Sequence, residues 1–297
     1  MCPETKTPAF SLIVCTIGRV AFLRKLFASL REQTLQDFEV ILVDQSETSE
    51  VRDLCKGTTG LNLSYLHSNR KGLSHARNLG IAHARGAFIA FPDDDCTYLP
   101  NTLQTALDCF LKHREVAATN GIWIRPGMQT SANSNASNRN QFISFGNFHK
   151  KVYSITIFLR AQTLKEIGGF DERLGVGARF GAGEESDLTI RIMAARMKIV
   201  QCDYLHIAHP ITPDRKDRGP DALARICKYG EGFGFLIGKH IFSRNGMRVL
   251  PYASAIFLRP LAGMFAGICS GNRSAIKYYA YSFLSRIRGC FSYIRST

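Results

Sequence analysis

The sequence predicts an α/β protein with a mostly parallel central sheet flanked by helices, and three observations lead there. Short apolar runs alternate with segments whose apolar residues recur at helical spacing. Acidic residues stand directly after two of the runs, and 45% apolar against 21% charged content is that of a folded chain. Residues 11–16 (SLIVCT) form the first run, and within 21–31 the positions of Phe22, Leu23, Leu26, Phe27 and Leu30 mark a helix. Residues 39–44 (EVILVD) and 61–66 read as buried strands and 73–84 as a helix. Residues 88–91 (FIAF) read as a strand that stops at Pro92, which has no backbone donor for a ladder. A helix at 99–113 and a strand at 116–124 follow. From 126 to 140 the chain turns to PGMQTSANSNASNRN, too polar to bury and long for a tight connection, which predicts a mobile loop over a site. A β-rich piece at 153–160, a short helix at 161–167 and a glycine-dense stretch lead into a helix at 184–197. A strand at 199–205 comes next, then His206 and His209.

Length and charge divide the chain in two. The 297 residues suffice for one large domain, placed at 8–240, followed by a tail at 241–297. The net charge of +14 points to a polyanionic partner, and its placement says which part meets it. After Glu231 there is no acidic residue, whereas Lys239, Arg244, Arg248, Arg259, Arg273, Lys277, Arg286, Arg288 and Arg295 follow. No DNA-recognition pattern appears, so nucleic acid is not the expected partner. Nine cysteines, scattered, odd in number and without a CxxC pair, argue against a zinc site or a disulfide framework and fit a reducing cytosol. Residues 1–7 contain no apolar core of a leader, so the expected location of the catalytic part is cytoplasmic.

The acidic residues carry the chemistry. In an open parallel sheet, ligands bind beyond the carboxyl ends of the strands, where Asp44 and the triplet Asp93-Asp94-Asp95 stand. Three adjacent carboxylates repel one another unless a cation neutralises them, and Asp93 with Asp95 has the spacing to face one ion. Oxygen ligands favour Mg²⁺ or Mn²⁺ over zinc. The plainer reading is an acidic turn that caps the next helix. Gly183-Glu184-Glu185-Ser186-Asp187 is the second cluster, where Glu184 or Glu185, kept ionised by a helix N-terminus, is a candidate general base. Here the plainer reading is an acidic first turn with an Asp187–Arg191 pair at i,i+4. His209, before Pro210, is either a packed residue or an imidazole offered to the ion from the opposite side.

Taken in order, SLIVCTIGR, LFASLREQT, FEVILVDQSE, NRKGLSHARNLGIAHARGAFIAFPDDD, IGGFDERLG and GEESDLTIR resemble the inverting glycosyltransferase family 2, over roughly residues 10–240. The resemblance implies the nucleotide-diphospho-sugar transferase fold of GT-A type. It places Thr16 and Asp44 against the base and ribose of a donor, Asp44 accepting from a uracil ring if that donor is a UDP-sugar. Arg77 would approach the base or phosphates, and Asp94 the ribose. Asp93 and Asp95 match the metal-binding Asp-x-Asp, with Mn²⁺ or Mg²⁺ as the cofactor, and His209-Pro210 matches a late histidine. The family's base is the second acid of a Glu-Asp pair, here Glu185, with Glu184 the lesser candidate. Glutamate at that position, Gln45 after Asp44 and Arg19 after Gly18 depart from the pattern. The reaction implied is a single displacement with inversion. Its acceptor is a glycan or lipid-linked molecule, as in bacterial cell-surface polysaccharide synthesis, reached from the inner face of a membrane. Two rival classes are a sugar-nucleotide nucleotidyltransferase, for which TIGR is a poor phosphate loop, and an inactive homologue that only binds membranes or polyanions.

The tail has three expected placements. Residues 250–268 are nearly all apolar, but Arg259 near the middle costs about 2.5–3.5 kcal/mol in a bilayer centre and Pro260 removes a backbone bond beside it. Residues 276–294 mix Tyr, Phe and Ile with Lys277, Arg286 and Arg288, the composition of a helix lying among headgroups. Interfacial helices on an anionic surface, a true span and a tail packed on the domain are the alternatives.

Overall fold

The computed structural model describes residues 7–128, 141–210, 220–243 and 246–295. The predicted loop at 126–140 falls outside them except for its first three residues. In chain order the strands are β1 (Phe10–Thr16), β2 (Phe38–Asp44), β3 (Leu63–His67), β4 (Phe88–Ala90), β5 (Thr97–Tyr98), β6 (Ala118–Ile124), β7 (Gln141–Phe142), β8 (Ile157–Arg160) and β9 (Ile199–Ala208). The helices are α1 (Val20–Arg31), α2 (Glu50–Lys56), α3 (Leu73–His83), α4 (Thr102–Lys112), α5 (Phe148–Lys151), α6 (Ala161–Ile167), α7 (Glu184–Ala194), α8 (Pro220–Ile241), α9 (Gly246–Cys269) and α10 (Arg273–Ile294).

One sheet runs in the order β3-β2-β1-β4-β8-β6-β9-β5, with β7 on β9. Its long ladders, β1–β2, β2–β3 and β6–β9, are parallel. The antiparallel pairings are short: β8 enters between β4 and β6 against the direction of both, and β5 and β7 each pair with β9 over two residues. The alternating faces of β1 separate two cores, as a pleated strand requires. Phe10, Leu12 and Val14 pack with Leu23, Leu26 and Phe27 of α1 and with Leu103 and Phe110 of α4. Ile13, from the opposite face, joins Leu164, Leu188 and Ile192 of α6 and α7.

Three helices, α2, α5 and α8, lie where the sequence predicts no element. The last has consequences for the tail. Gly230 and Gly234 stand one turn apart on α8, and a Cβ added to either would lie 1.9 Å from an atom of α10, Ser285 Oγ or the Arg286 carbonyl oxygen. The two helices therefore meet backbone to backbone, the mode of packing that small residues at i,i+4 permit. Helix α8 packs on the second core through Phe235, Leu236 and Ile237, and α9 packs on α10 and on the same core. Val249, Tyr252 and Ala253 are buried in the second core, and the Tyr252 ring sits 4.8 Å from that of Phe148. Part of the tail is thus packed on the domain. The other side of α9 is open, with Leu258, Phe265 and Ile268 each at least 60% exposed. By length and composition its 24 residues suffice to cross a membrane.

A side chain at position 234 has nowhere to go, because what it meets is backbone. Gly234→Val is expected to cost about 3 kcal/mol, at the upper end for overpacking, and to lower the urea midpoint with little change in far-UV circular dichroism. An unchanged midpoint would contradict the close α8–α10 contact.

Candidate active site

The site is assembled at the carboxyl ends of β1, β2 and β4. Pro92 ends β4, and the chain then bends so that Asp93 bridges back to Cys15 on β1. Asp94, 1% exposed, turns inward. It accepts hydrogen bonds from Thr16 Oγ1 at 2.6 Å, from Arg19 Nε at 3.0 Å and from Arg19 Nη2. Burial pushes its carboxyl above the ordinary range, and Thr16 and Arg19 work against that shift. Arg19, which the sequence reading notes only as a departure, also donates to Asp95 Oδ2 at 2.9 Å.

Asp93 and Asp95 point the other way, toward His209 at the end of β9. The imidazole Nε2 is 3.0 Å from Asp95 Oδ1 and 4.0 Å from Asp93 Oδ2. The hydrogen bond from His209, aided by Arg19, holds the Asp95 carboxyl below its ordinary range. Asp95 Oδ1 is buried without an aligned hydrogen-bond partner among the described residues. His209 Nδ1 lies 2.6 Å from the Pro210 carbonyl, a contact that calls for a proton on Nδ1; beside Asp95 and Asp93 alone the ring is held toward its charged form, and a cation bound there would take the Nε2 position as the proton on it leaves. A buried, unsatisfied carboxylate oxygen facing an imidazole nitrogen, with a second carboxylate beside them, fits one hard or borderline divalent ion. Cys96 Sγ lies within 4.8 Å of the same atoms, but burial pushes its thiol far up, so it stays protonated. The set left is two carboxylates and one imidazole, which suits Mn²⁺ or Mg²⁺.

The second acidic cluster is brought here by α7. Gly183 precedes the helix at φ +98°, in the left-handed region, and lets the chain turn so that Glu184 and Glu185 enter the cleft. Arg77 of α3, 1% exposed, joins the two clusters. Its guanidinium donates to Glu184 Oε1 at 3.4 Å and to Asp93 Oδ1 at 3.2 Å, and it packs against the edge-to-face pair of Phe91 and Phe170, 5.8 and 5.2 Å from their centroids. Glu185 lies next to this pair and forms no ion pair of its own among the described residues. Burial, then the charge of Glu184, pushes its carboxyl up to about 8, with Arg77 opposing. Tyr229 on α8 senses both glutamates.

Asp187 belongs to the framework. Fully buried, it accepts from Arg191 at 2.8 Å and His240 at 2.8 Å and pairs with Lys239 at 2.7 Å, and these cations hold it far below the ordinary carboxylate range. The i,i+4 pair predicted from sequence is present, and Lys239 and His240 extend it to α8. Asp44, also fully buried, lies beside Thr16 in the β1–β2 register but does not join the acidic cluster. It accepts from Ser46 N at 2.9 Å, Ser46 Oγ at 2.6 Å and Tyr65 Oη at 2.9 Å. Burial and this bond raise the Tyr65 phenol to about 12. Gln45 reaches the Arg70 and Gly72 carbonyls and fixes the turn into α3. A cavity of about 660 Å³ between α1 and α2, lined by Arg24, Arg31, Glu50 and Asp53, contains none of these residues.

Residues 11–164, more than half of the chain, match the model of glycosyl transferase family 2. The chain belongs to this family. Thr16, Asp44, Arg77 and the triplet lie inside the matched range; Glu184, Glu185 and His209 lie beyond it. The chain is 34% identical over 109 residues to a putative glycosyltransferase, EpsH, of Bacillus subtilis, a stretch that is 35% of this chain and 32% of that one. It is 32% identical over 98 residues to an uncharacterized glycosyltransferase of Rickettsia bellii, covering 33% of this chain and 14% of the relative. The matches thus span a third or less of these relatives' length. The fold is shared with the mannosyltransferase PcManGT of Pyrobaculum calidifontis, determined in complex with GDP-Man and Mn²⁺. There the TM-score is 0.66 at 16% identity, over 99% of this chain and 89% of that one. Residues 1–349 of S. aureus TarS in complex with UDP-GlcNAc give 0.56 at 16% identity, over 97% and 92%. The family 2 glycosyltransferase is therefore a GT-A protein with a nucleotide-sugar-transferase architecture.

Among the described residues, Arg77 is the one cation buried between the two acidic clusters. Arg77→Met should cost about 3–5 kcal/mol in chemical denaturation, because it leaves Glu184 and Asp93 facing each other unpaired. A loss below 1 kcal/mol would show that the two clusters do not depend on it.

Proposed function

We propose that this glycosyltransferase transfers a sugar, with inversion, from a nucleotide-diphosphate donor to a glycan or lipid-linked acceptor. One observation carries the reading. Asp93 and Asp95, which face a ligating imidazole, and Glu185, which lacks a cation, lie in one cleft joined through Arg77. Glu185 is the base, with Glu184 held by Arg77 as its neighbour. Its raised carboxyl pKa suits proton abstraction near neutral pH better than an ordinary glutamate does. As Glu185 takes the proton of the acceptor hydroxyl, that oxygen forms its bond to the anomeric carbon and the bond to the nucleotide diphosphate breaks. No covalent enzyme intermediate forms. Asp93, Asp95 and His209 are the residues that hold Mn²⁺ or Mg²⁺, which supplies Lewis-acid stabilisation of the leaving diphosphate.

For the donor we propose a UDP-sugar. Thr16 and Asp94 lie on the ribose side, and Asp44 reaches the base when Tyr65 gives up its bond. PcManGT, solved with GDP-Man and Mn²⁺, and TarS, solved with UDP-GlcNAc, support the nucleotide-sugar and metal parts of the reading. We assign catalysis to 8–240 and membrane association to 241–297. The support is a segment with no acid after Glu231, nine Lys and Arg side chains, and an exposed apolar row on α9. The location proposed is the cytoplasmic face of a membrane, in bacterial surface polysaccharide synthesis.

Two measurements test the assignment. Asp95→Ala should remove Mn²⁺-dependent release of nucleotide diphosphate from a panel of nucleotide sugars, while Glu185→Gln should lower turnover by about 10²–10⁴-fold and leave donor affinity within twofold. Wild-type rates from either variant would reject its role. Because a base acts deprotonated, kcat/KM should rise with pH and level off above about 8, and Glu185→Gln should erase that limb. NMR of the product's anomeric centre reads inversion directly.

A further inference from the structure

Away from the acidic cleft, a second pocket of about 410 Å³ lies between the loop that precedes α7 and the outer side of α10. Three arginines line it, Arg179 from the loop and Arg288 and Arg295 from α10, with Phe180, Phe291 and a single acid, Glu231. No carboxylate lies within ion-pair distance of any of the three arginines among the described residues. Arg179 instead lies over the Phe180 ring, 5.2 Å from its centroid. Three guanidinium groups around one hollow repel one another, an arrangement that is stabilised when an anion enters, and guanidinium geometry suits phosphate. The mouth is apolar. Phe291 is 56% exposed and Leu284, two turns earlier on the same helix, 52%. A free phosphate in water would leave these side chains as they are, whereas a phosphate carried by a lipid brings acyl chains that cover them.

We infer that this pocket binds the headgroup phosphate of an anionic phospholipid, with Phe291 and Leu284 entering the adjoining acyl boundary. The inference rests on the membrane reading above and gives it an address. It also gives an orientation. Arg179 stands at the end of a loop closed by the bond from Gly175 N to the Phe180 carbonyl, 2.8 Å, and anchored to α3 by Ser74 Oγ donating to the Leu174 carbonyl at 2.6 Å. A Cβ at Gly175 would lie 3.2 Å from the Glu184 carboxyl carbon, so the same loop walls the neighbour of the proposed base. A lipid surface seated on Arg179, Arg288 and Arg295 therefore borders the side of the cleft that holds Glu184 and Glu185.

The test uses the full chain and sedimentation with phosphatidylcholine vesicles made with or without phosphatidylglycerol. Wild type should sediment only with the phosphatidylglycerol vesicles. Removing one cation near an anionic surface weakens binding about fivefold, so Arg179→Gln/Arg295→Gln should lower the partition coefficient roughly 25-fold. Arg24→Gln/Lys25→Gln, an equal charge loss on exposed positions of α1, should change it less than twofold. Partition of the pocket variant equal to wild type, or an equal fall in the α1 variant, would overturn the pocket while leaving membrane association intact. A wild-type protein that ignores the anionic vesicles overturns both. Soluble glycerol phosphate that displaces wild type from the vesicles at micromolar levels would identify a free phosphate site and overturn the lipid assignment.

Discussion

The buried guanidinium of Arg77 is the constraint around which the rest of the cleft is arranged. A charge removed from water is tolerated only when it is paired and its donors are used, and Arg77 meets both conditions with groups from separate parts of the chain. Asp93 follows β4, Glu184 opens α7, and the contacting rings of Phe91 and Phe170 pack beside the fork. The pairing is reciprocal. Without the cation, Asp93 and Glu184 would repel each other across the same space, and the geometry that lets Asp93 face His209 would lose its fixed end. Arginine serves here because its planar fork donates in two directions at once, which an ammonium on a flexible stem does less well.

From that centre the framework extends to the tail. Helix α7 enters the cleft at its N-terminus and is held behind by Asp187, whose partners Lys239 and His240 belong to the last turn of α8. Through Gly230 and Gly234, α8 is in turn fixed against α10. The segment that bears the excess positive charge is thus coupled mechanically to the helix that carries the proposed base. A polyanionic surface bound by the tail is registered to the cleft by packing and does not hang from a linker.

The fold was legible where burial imposed a period. Strands β1, β2 and β9 and helices α1, α3 and α7 all lie where apolar spacing predicts them, and the acids after β2 and β4 stand at strand ends as an open sheet requires. Helix α8 escaped because Gly230, Gly232, Gly234 and Gly238 read as breakers, each costing about 1 kcal/mol in an isolated helix. Their purpose is visible only in the fold, where Gly230, Gly234 and Gly238 face α10 and Gly232 faces the Ala182 backbone, so the lost propensity is offset by close contact. Helix α2 is short and largely polar, so it has little period to read. In the site, the triplet, the glutamates and His209 were all singled out from sequence, and their meeting in one cleft was an expectation that the family resemblance supplied and periodicity did not. Arg19 was missed as a partner of Asp94 and Asp95. Its signal lies in charge balance, because a cleft holding five carboxylates needs resident cations close in the chain.

Those cations divide the work among the three aspartates. Asp94 is the most enclosed, and it accepts from Thr16 and Arg19 on the β1 side, so its lone pairs are committed to the protein. The triplet lies in a turn closed by Cys96 N donating to the Asp93 carbonyl at 3.0 Å, and that turn sends Asp94 inward and leaves its two neighbours on the other side. Asp93 and Asp95 therefore emerge on one side together, where His209 is the nearest imidazole. The triplet is better understood as one internal anchor flanked by two outward ligands than as three equivalent acids. An aspartate between the ligating pair contributes by fixing their common direction, and Arg19, 43% exposed, is the cation that holds the anchor while still facing solvent at the mouth of the cleft.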